Sequence, residues 1–216
     1  MTPRRSNFTR ARLFVATALA AVLAMTACGN GGQSRAEQSA SPATSASASA
    51  TATPTPTPTA AYKPADSKGK AENVPVPVLP EAAKANSKEG VEAFARYWFQ
   101  VMSYAYETGD VGSLGKITGA NCEMCEGVKR VVPKAYTGDR WISGGLFSTP
   151  SVSSTFKSQP DQSIPVVVQV VQSKIHYWGP DGTEYRQPTE ATNTGNVAFV
   201  RFVEGAWRLD GVNPLR

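Results

Sequence analysis

The stretch that decides the fold runs from residue 86 to residue 110 and reads NSKEGVEAFARYWFQVMSYAYETGD. Apolar side chains recur in it at the 3.6-residue period of an α-helix, with polar side chains on the opposite arc. The apolar set is Val91, Phe94, Trp98, Val101 and Ala105. Asn86 followed by Glu89 is typical of a helix start, and Thr108-Gly109-Asp110 is typical of a helix stop. The sequence therefore predicts one long helix with a buried face.

Two tyrosines, Tyr97 and Tyr104, lie seven residues apart on one border of this apolar stripe. A tyrosine ring at such a border can be buried while its hydroxyl reaches a cavity or solvent. The positions fit either the lining of a pocket or ordinary packing at the edge of the core. Both tyrosines are candidate pocket residues.

Short helices and then strands are predicted downstream of the long helix. Asp110 can cap a short helix that ends near Ile117, and a further helix is predicted over 122–132, where Pro133 interrupts it. Beyond Tyr136 the apolar period changes to two, which favours strands. The predicted strand regions are 141–156, 164–178, 183–187, 197–203 and 206–212, with a Glu204-Gly205 turn before the last. Helices followed by antiparallel strands predict an α+β domain, with the N-terminal helices packed on a curved antiparallel sheet.

Upstream of the domain, residues 1–27 have the pattern of a secretory signal. Four arginines without any acidic residue precede an apolar run, and small residues follow it directly before Cys28. This arrangement resembles the bacterial lipobox, in which the cysteine thiol is diacylated and the chain is cut so that the cysteine becomes its first residue. The resemblance implies lipidation of Cys28. The alternative is an ordinary signal peptide with an incidental cysteine.

Residues 28–85 are rich in Ser, Thr, Ala and Pro and contain few large apolar side chains. Such a composition cannot offset the entropy cost of ordering, so we predict a disordered tether. The remaining residues, 86–216, form one predicted domain. The signal carries +4 of the net charge of +5, the tether +1 and the domain zero. A neutral domain gives no reason to expect binding to nucleic acid.

Cys122 and Cys125 form a Cys-x-x-Cys motif that permits three interpretations. In an exported protein the pair can form a structural disulfide, which is our prediction. A redox-active pair would need a thioredoxin-like strand before it, where a helix is predicted instead. Zinc would need three or four ligands, and His176 is the single histidine of the chain. No metal and no cofactor are therefore predicted.

His176 itself lies near the end of a predicted strand. It fits either a partly exposed strand residue or a general base that faces a pocket. No pattern of catalytic residues accompanies it, so no catalytic residue is assigned.

The order of a long aromatic helix, two short helices and a meander ending in FVEGAWRL resembles the nuclear-transport-factor-2-like, cone-shaped superfamily. The tether, the helix sequence GVEAFARYWF and the Cys-x-x-Cys motif resemble a family of uncharacterised actinobacterial lipoproteins. This resemblance implies a cone-like fold. It implies no reaction, because folds of this kind host enzymes and non-catalytic domains alike.

We therefore expect a lipid-anchored binding or interaction module on the outer face of the bacterial cytoplasmic membrane. Its expected partners are the membrane, through diacylglycerol on Cys28, and an envelope protein or a cell-wall component. The alternative is a small extracytoplasmic enzyme, an isomerase or a hydrolase. Such an enzyme would use a cone pocket with His176 or a buried carboxylate.

Overall fold

The structure, a computed structural model, describes residues 60–215. The predicted signal peptide, Cys28 and residues 29–59 of the predicted tether lie outside the described residues. Within the described range, no helix combines the length and the apolar character that crossing a bilayer requires.

The long helix, α1, spans Lys88–Thr108 and confirms the helix prediction. Its N-cap is Ser87 rather than Asn86, because the Ser87 hydroxyl accepts the backbone N–H of Gly90 at 3.0 Å. At the other end Gly109 adopts a left-handed conformation with φ 78°. Serine and glycine at these positions satisfy backbone groups that have no partner within the helix.

Two short helices follow, α2 over Gly112–Lys116 and α3 over Glu123–Val131. The Asp110 carboxylate accepts the backbone N–H of Gly112 at 2.8 Å, so it caps α2 from two residues away. In the described part of the chain, 3₁₀-helical segments also occur over Glu81–Lys84 and Pro133–Asp139, and the latter is kinked at Thr137 and Gly138, which have non-helical φ and ψ. The segment after α3 begins at Pro133, the residue that the sequence predicts to interrupt the helix over 122–132.

Among residues 60–215, eight strands, all paired antiparallel, form two sheets. The strands are β1 Trp141–Gly144, β2 Phe147–Ser148, β3 Val152–Ser154, β4 Ile164–Gln172, β5 Ile175–Trp178, β6 Glu184–Thr189, β7 Thr192–Val203 and β8 Ala206–Pro214. A three-stranded sheet has the order β1-β5-β6. A five-stranded sheet has the order β2-β4-β7-β8, with β3 also paired to β4. The α+β class is confirmed.

The two sheets separate at two facing positions, between β1 and β2 and between β4 and β5. Gly144 and Gly145 have φ values of 76° and 71° between β1 and β2. On the paired segment, β4 ends at Gln172 and β5 begins at Ile175. Between these two strands, the Lys174 carbonyl accepts the Gly145 N–H at 3.2 Å. A Cβ on Gly144 would lie 1.9 Å from that carbonyl oxygen, so only glycine fits there.

The main core lies between α1 and the inner face of the five-stranded sheet. Its fully buried side chains include Phe94 and Trp98 from α1, and Val166, Val168 and Val200 from β4 and β7. Their positions on the strands follow from the register, which pairs Ile164 with Val200 at one end of β4 and Gln172 with Thr192 at the other. Helix α1 therefore packs on the five-stranded sheet, as the sequence predicts for an α+β domain.

The closing hairpin is confirmed in detail. Glu204 and Gly205 form a two-residue turn with both φ values positive, at 51° and 79°. Trp207 and Leu209 point to the same face and are 3% and 0% exposed. The Trp207 ring packs 6.5 Å from the ring of Phe94, so the hairpin covers the N-terminal half of α1.

Residues 60–85, which we call the N-terminal strap, correct the predicted boundary of the domain. Lys63 and Glu72 form an antiparallel bridge, and the Trp141 indole N–H donates to the Asp66 carbonyl at 2.7 Å. Ala83 is 2% exposed within the main core. Because these contacts use backbone groups and isolated side chains, they leave no periodic pattern in the sequence. Residues 60–85 therefore belong to the folded part, and residue 86 is not its start.

Tyr62 ties the strap to the C-terminal turn of α1, since its hydroxyl donates to the Glu107 carboxylate. Burial and this hydrogen bond raise the pKa of Tyr62 to about 12, from 10.0. The protonated phenol is the stabilising form. Its contribution is complete below pH 10 and is lost as the pH rises toward 12.

Tyr62→Phe should therefore loosen the strap at neutral pH, with exchange of its backbone amides about two- to fivefold faster. Hydrogen exchange with mass spectrometry measures this effect. Tyr185→Phe is the control, because Tyr185 has a similar exposure, 38% against 42%. Equal exchange in the two variants would contradict the assigned role of Tyr62.

Candidate functional site

An apolar pocket of about 340 Å³ lies between the C-terminal half of α1, helix α3 and the five-stranded sheet. The side chains from the helices are Phe99, Met102 and Tyr106 of α1 and Met124 and Val128 of α3. The side chains from the strands are Phe147, Val170, Gln172, Thr192, Thr194, Asn196, Val212 and Pro214. The volume lies within the range of small-molecule sites, roughly 300–1,000 Å³.

The lining of the apolar pocket is uncharged. Its polar groups are the amides of Gln172 and Asn196 and the hydroxyls of two threonines on the strand side, and the phenol of Tyr106 on the helix side. Tyr106 is its one titratable group. Burial, and to a lesser extent the nearby Tyr177, raises the pKa of Tyr106, so the phenol stays protonated. The pocket can therefore hold an apolar group beside a few hydrogen-bonding partners.

A second and more polar cavity, of about 540 Å³, adjoins the apolar pocket. Its lining residues are Asn121, Cys122, Glu123, Met124, Asp161, Phe199, Arg201, Asp210, Gly211, Val212 and Asn213. Met124 and Val212 belong to both linings. The two cavities therefore share a wall made by the first turn of α3 and the end of β8.

A salt bridge between β7 and β8 lies in the polar cavity. The Arg201 guanidinium donates two hydrogen bonds to the Asp210 carboxylate, and this partner raises the pKa of Arg201. The pKa of Asp161, which also lines this cavity, is lowered by the hydroxyl and backbone N–H of Ser163, which both donate to its carboxylate, and to a smaller extent by the charge of Arg201. The cavity thus carries ionised groups at neutral pH.

A disulfide between Cys122 and Cys125 closes the first turn of α3, with 5.2 Å between the two Cα atoms. The predicted disulfide is confirmed. Both cysteines are buried, at 1% and 0% exposure, and the Cys122 sulfur accepts the Cys125 backbone N–H at 3.3 Å. Met124 lies between them, so the disulfide holds the residue that separates the two cavities. Over residues 60–215, no three His, Cys, Asp or Glu side chains are grouped so that they could hold a metal ion.

Tyr97 and Tyr104 are half-buried on α1, but neither lines the apolar pocket or the polar cavity. The tyrosine that lines the apolar pocket is Tyr106. It belongs with Phe99 and Met102 to a second apolar row on α1, at spacings of three and four residues. The sequence shows this second row as well as the row beside Tyr97 and Tyr104. Which of the two rows lines a pocket depends on the positions of α3 and the sheet, which the spacing does not specify.

His176 lies away from both cavities, on β5 of the three-stranded sheet. Its imidazole contacts the Glu184 carboxylate at 2.5 Å and stacks on the Trp178 ring at 5.6 Å between centroids. The Trp178 indole donates in turn to the Ser143 hydroxyl at 2.7 Å. These contacts satisfy His176 within its own sheet, and they place no base beside the apolar pocket.

Cys122→Ser/Cys125→Ser should fold and lose about 2 kcal/mol of stability, since a short closed loop restricts the unfolded chain only slightly. Denaturant unfolding measures this, with the disulfide-reduced wild type as the control. Loss of any cooperative transition would contradict a modest structural role. Dithiol reductase activity of the wild type would contradict the structural role altogether.

A family model described as a family of unknown function, DUF6318, matches residues 60–213. The chain belongs to the DUF6318 family. The match spans the N-terminal strap, both sheets and both cavities, so the DUF6318 domain coincides with the described fold.

Solved structures that resemble the DUF6318 domain share little sequence with it. The intermembrane-space region of the chloroplast protein ARC6 has a TM-score of 0.41 and 10% identity, over 60% of this chain and 96% of that one. A cystatin-like domain of unknown function from Nostoc punctiforme has a TM-score of 0.36 and 14% identity, over 58% and 76%. The protein Aln2 from a Streptomyces species has a TM-score of 0.32 and 10% identity, over 58% and 88%. Comparison with curated proteins gives no significant match.

Proposed function

We propose that this DUF6318 protein is a lipid-anchored binding module of the bacterial envelope, of the actinobacterial lipoprotein type. Diacylglycerol on Cys28 would hold it to the outer face of the cytoplasmic membrane, and the domain would present its pocket to an envelope ligand. The observation that carries the binding function is the uncharged apolar pocket between α1, α3 and the five-stranded sheet.

The composition of the apolar pocket supports binding without chemistry. Aromatic and aliphatic side chains form most of its lining, and amides and hydroxyls on one side can orient a ligand. A phenol whose pKa is raised by burial, such as that of Tyr106, is a poor general base near neutral pH.

The alternative of a small isomerase or hydrolase has less support. It requires His176 or a buried carboxylate in the pocket, and the lining contains neither. His176 contacts Glu184 on another sheet, and the carboxylates of Asp161 and Asp210 line the separate polar cavity. An envelope protein or a cell-wall component remains the proposed source of the ligand, and the neutral charge of the domain gives no reason to expect nucleic acid.

Val128→Phe should fill the apolar pocket and weaken binding of the neutral fluorescent probe N-phenyl-naphthylamine about tenfold. The titration uses the full chain carrying Cys28→Ala in detergent-free buffer. Val131→Phe is the matched control, because Val131 lies on the same helix, α3, and is 49% exposed outside the pocket.

Denaturant unfolding of both phenylalanine variants checks that each stays folded, since overpacking at Val128 can cost about 1–3 kcal/mol. Equal probe affinity in the two variants would contradict a ligand site between α1 and α3. An absence of probe binding in the parent chain would contradict it as well.

Cys28→Ala should release the protein from membranes or leave its signal uncleaved, with loss of labelling by a tagged palmitate. Cell fractionation and gel mobility measure both effects. Cys122→Ser/Cys125→Ser is the control and should remain membrane-bound and labelled, because it leaves Cys28 in place. Membrane retention of Cys28→Ala at the mature size would contradict the anchor.

A further inference from the structure

We propose that Tyr106 selects the ligand of the apolar pocket, because its hydroxyl donates a hydrogen bond to the carbonyl oxygen of an otherwise apolar, uncharged molecule. The proposal rests on the proposed binding function and adds the chemical class of the ligand and the residue that recognises it. It depends on three observations: the Tyr106 ring is held in the wall of the pocket, its hydroxyl has an unused proton, and the lining carries no charge.

The Tyr106 side chain is held in one position on α1. Its ring meets the ring of Phe147 edge-on, with 5.5 Å between the centroids. It also lies so close to Gly145 that a Cβ there would come within 2.7 Å of the tyrosine ring. The backbone is fixed too, since the Tyr136 hydroxyl donates to the Tyr106 carbonyl at 2.6 Å. A side chain held in this way loses little entropy when a ligand binds.

The hydroxyl of Tyr106 keeps a proton for a ligand. It donates no hydrogen bond to any of the residues described, whereas every shielded side-chain oxygen and nitrogen among them has a partner. The hydroxyl is therefore accessible from the pocket that Tyr106 lines. Burial raises the pKa of Tyr106, and the Gln172 amide opposes that rise, as an N–H directed toward the phenol oxygen does. The oxygen thus faces a donor, and the proton is free to be donated.

The other polar groups of the pocket are less suited to this role. The Asn196 amide already donates to the carbonyl and the hydroxyl of Thr194, at 3.1 and 3.0 Å. Thr192 and Thr194 are exposed, so water competes for their hydroxyls. Tyr106 is half-buried. A hydrogen bond is stronger where water is excluded, so an acceptor oxygen on a ligand gains most at Tyr106.

The uncharged lining favours a neutral ligand. It contains no Lys, Arg, His, Asp or Glu. A carboxylate in the pocket would lose its hydration and meet no opposite charge, which is costly, whereas a ketone, ester or amide carbonyl is an acceptor without a net charge. The ligand class is therefore an aliphatic or aromatic molecule that carries such a carbonyl.

Two neutral probes of the same shape test the role of Tyr106. 2-Acetylnaphthalene carries a carbonyl oxygen where 2-isopropenylnaphthalene carries a methylene carbon. Both are titrated into the full chain carrying Cys28→Ala in detergent-free buffer, and selectivity is the Kd of the hydrocarbon divided by the Kd of the ketone. Tyr106→Phe should lower this selectivity about fivefold, because it removes one hydrogen bond to the ketone and keeps the ring.

Tyr97→Phe is the matched control. Tyr97 is half-buried on the same helix and lines neither cavity, so its variant should keep the selectivity of the parent chain. Denaturant unfolding checks that both variants fold. Isotope-edited infrared spectroscopy of the bound ketone gives an independent measurement. Its carbonyl stretch should lie at lower frequency in the parent chain and in Tyr97→Phe than in Tyr106→Phe.

The charge of the ligand is tested with 2-naphthoate, which carries a carboxylate on the same ring system. It should bind to the parent chain more weakly than 2-acetylnaphthalene, because the pocket offers it no opposite charge. Tighter binding of 2-naphthoate would overturn the neutral ligand class.

The remaining outcomes distinguish this inference from the proposed function. If the selectivity changes equally in the two tyrosine variants, or in neither, the role of Tyr106 is overturned. The apolar site still stands in that case when Val128→Phe weakens the binding of both neutral probes. If neither neutral probe binds to the parent chain, the apolar site fails and the inference fails with it.

Discussion

The burial of one face of α1 against the five-stranded sheet is the interaction on which the rest of the structure depends. Trp98 stands at its centre with no exposed surface, and its indole N–H donates to the Thr118 hydroxyl at 3.0 Å. Burying one large apolar side chain contributes about 1.5–3 kcal/mol, and each polar atom buried with it needs a partner. The apolar pocket lies at the C-terminal half of this helix, where Phe99, Met102 and Tyr106 form its helix side.

Elements with a strong local pattern could be predicted from the sequence. The apolar period placed α1 to within one residue of its start, and the alternation around Trp207 and Leu209 placed the last hairpin and its inner face. The Cys-x-x-Cys spacing favoured a local disulfide, because both cysteines lie on one helical turn. In each case the decisive interactions join residues that are close in the chain.

Features that depend on contacts distant in the chain could not be predicted. The strap is held by single contacts such as Trp141 to Asp66, 75 residues apart, and its composition resembles that of an unfolded segment. The division into two sheets follows from the approach of Gly144 to the Lys174 carbonyl. The pocket uses Tyr106 rather than Tyr97 or Tyr104 because α3 and the strands line it on that side of α1, which a helical period alone does not specify.

The position of β7 and β8 in the chain has a consequence for how the protein is made. This hairpin supplies Val200, Trp207 and Leu209 to the core, and the Trp207 indole donates to the Ala85 carbonyl, 122 residues earlier. A chain that has not yet received residues beyond 195 therefore lacks the part of the core around α1 that this hairpin supplies. Native contacts of such large sequence separation form late and slowly. The domain can complete its core only after the hairpin has been synthesised and released, so premature truncation removes Val200, Trp207 and Leu209 from the packing around α1.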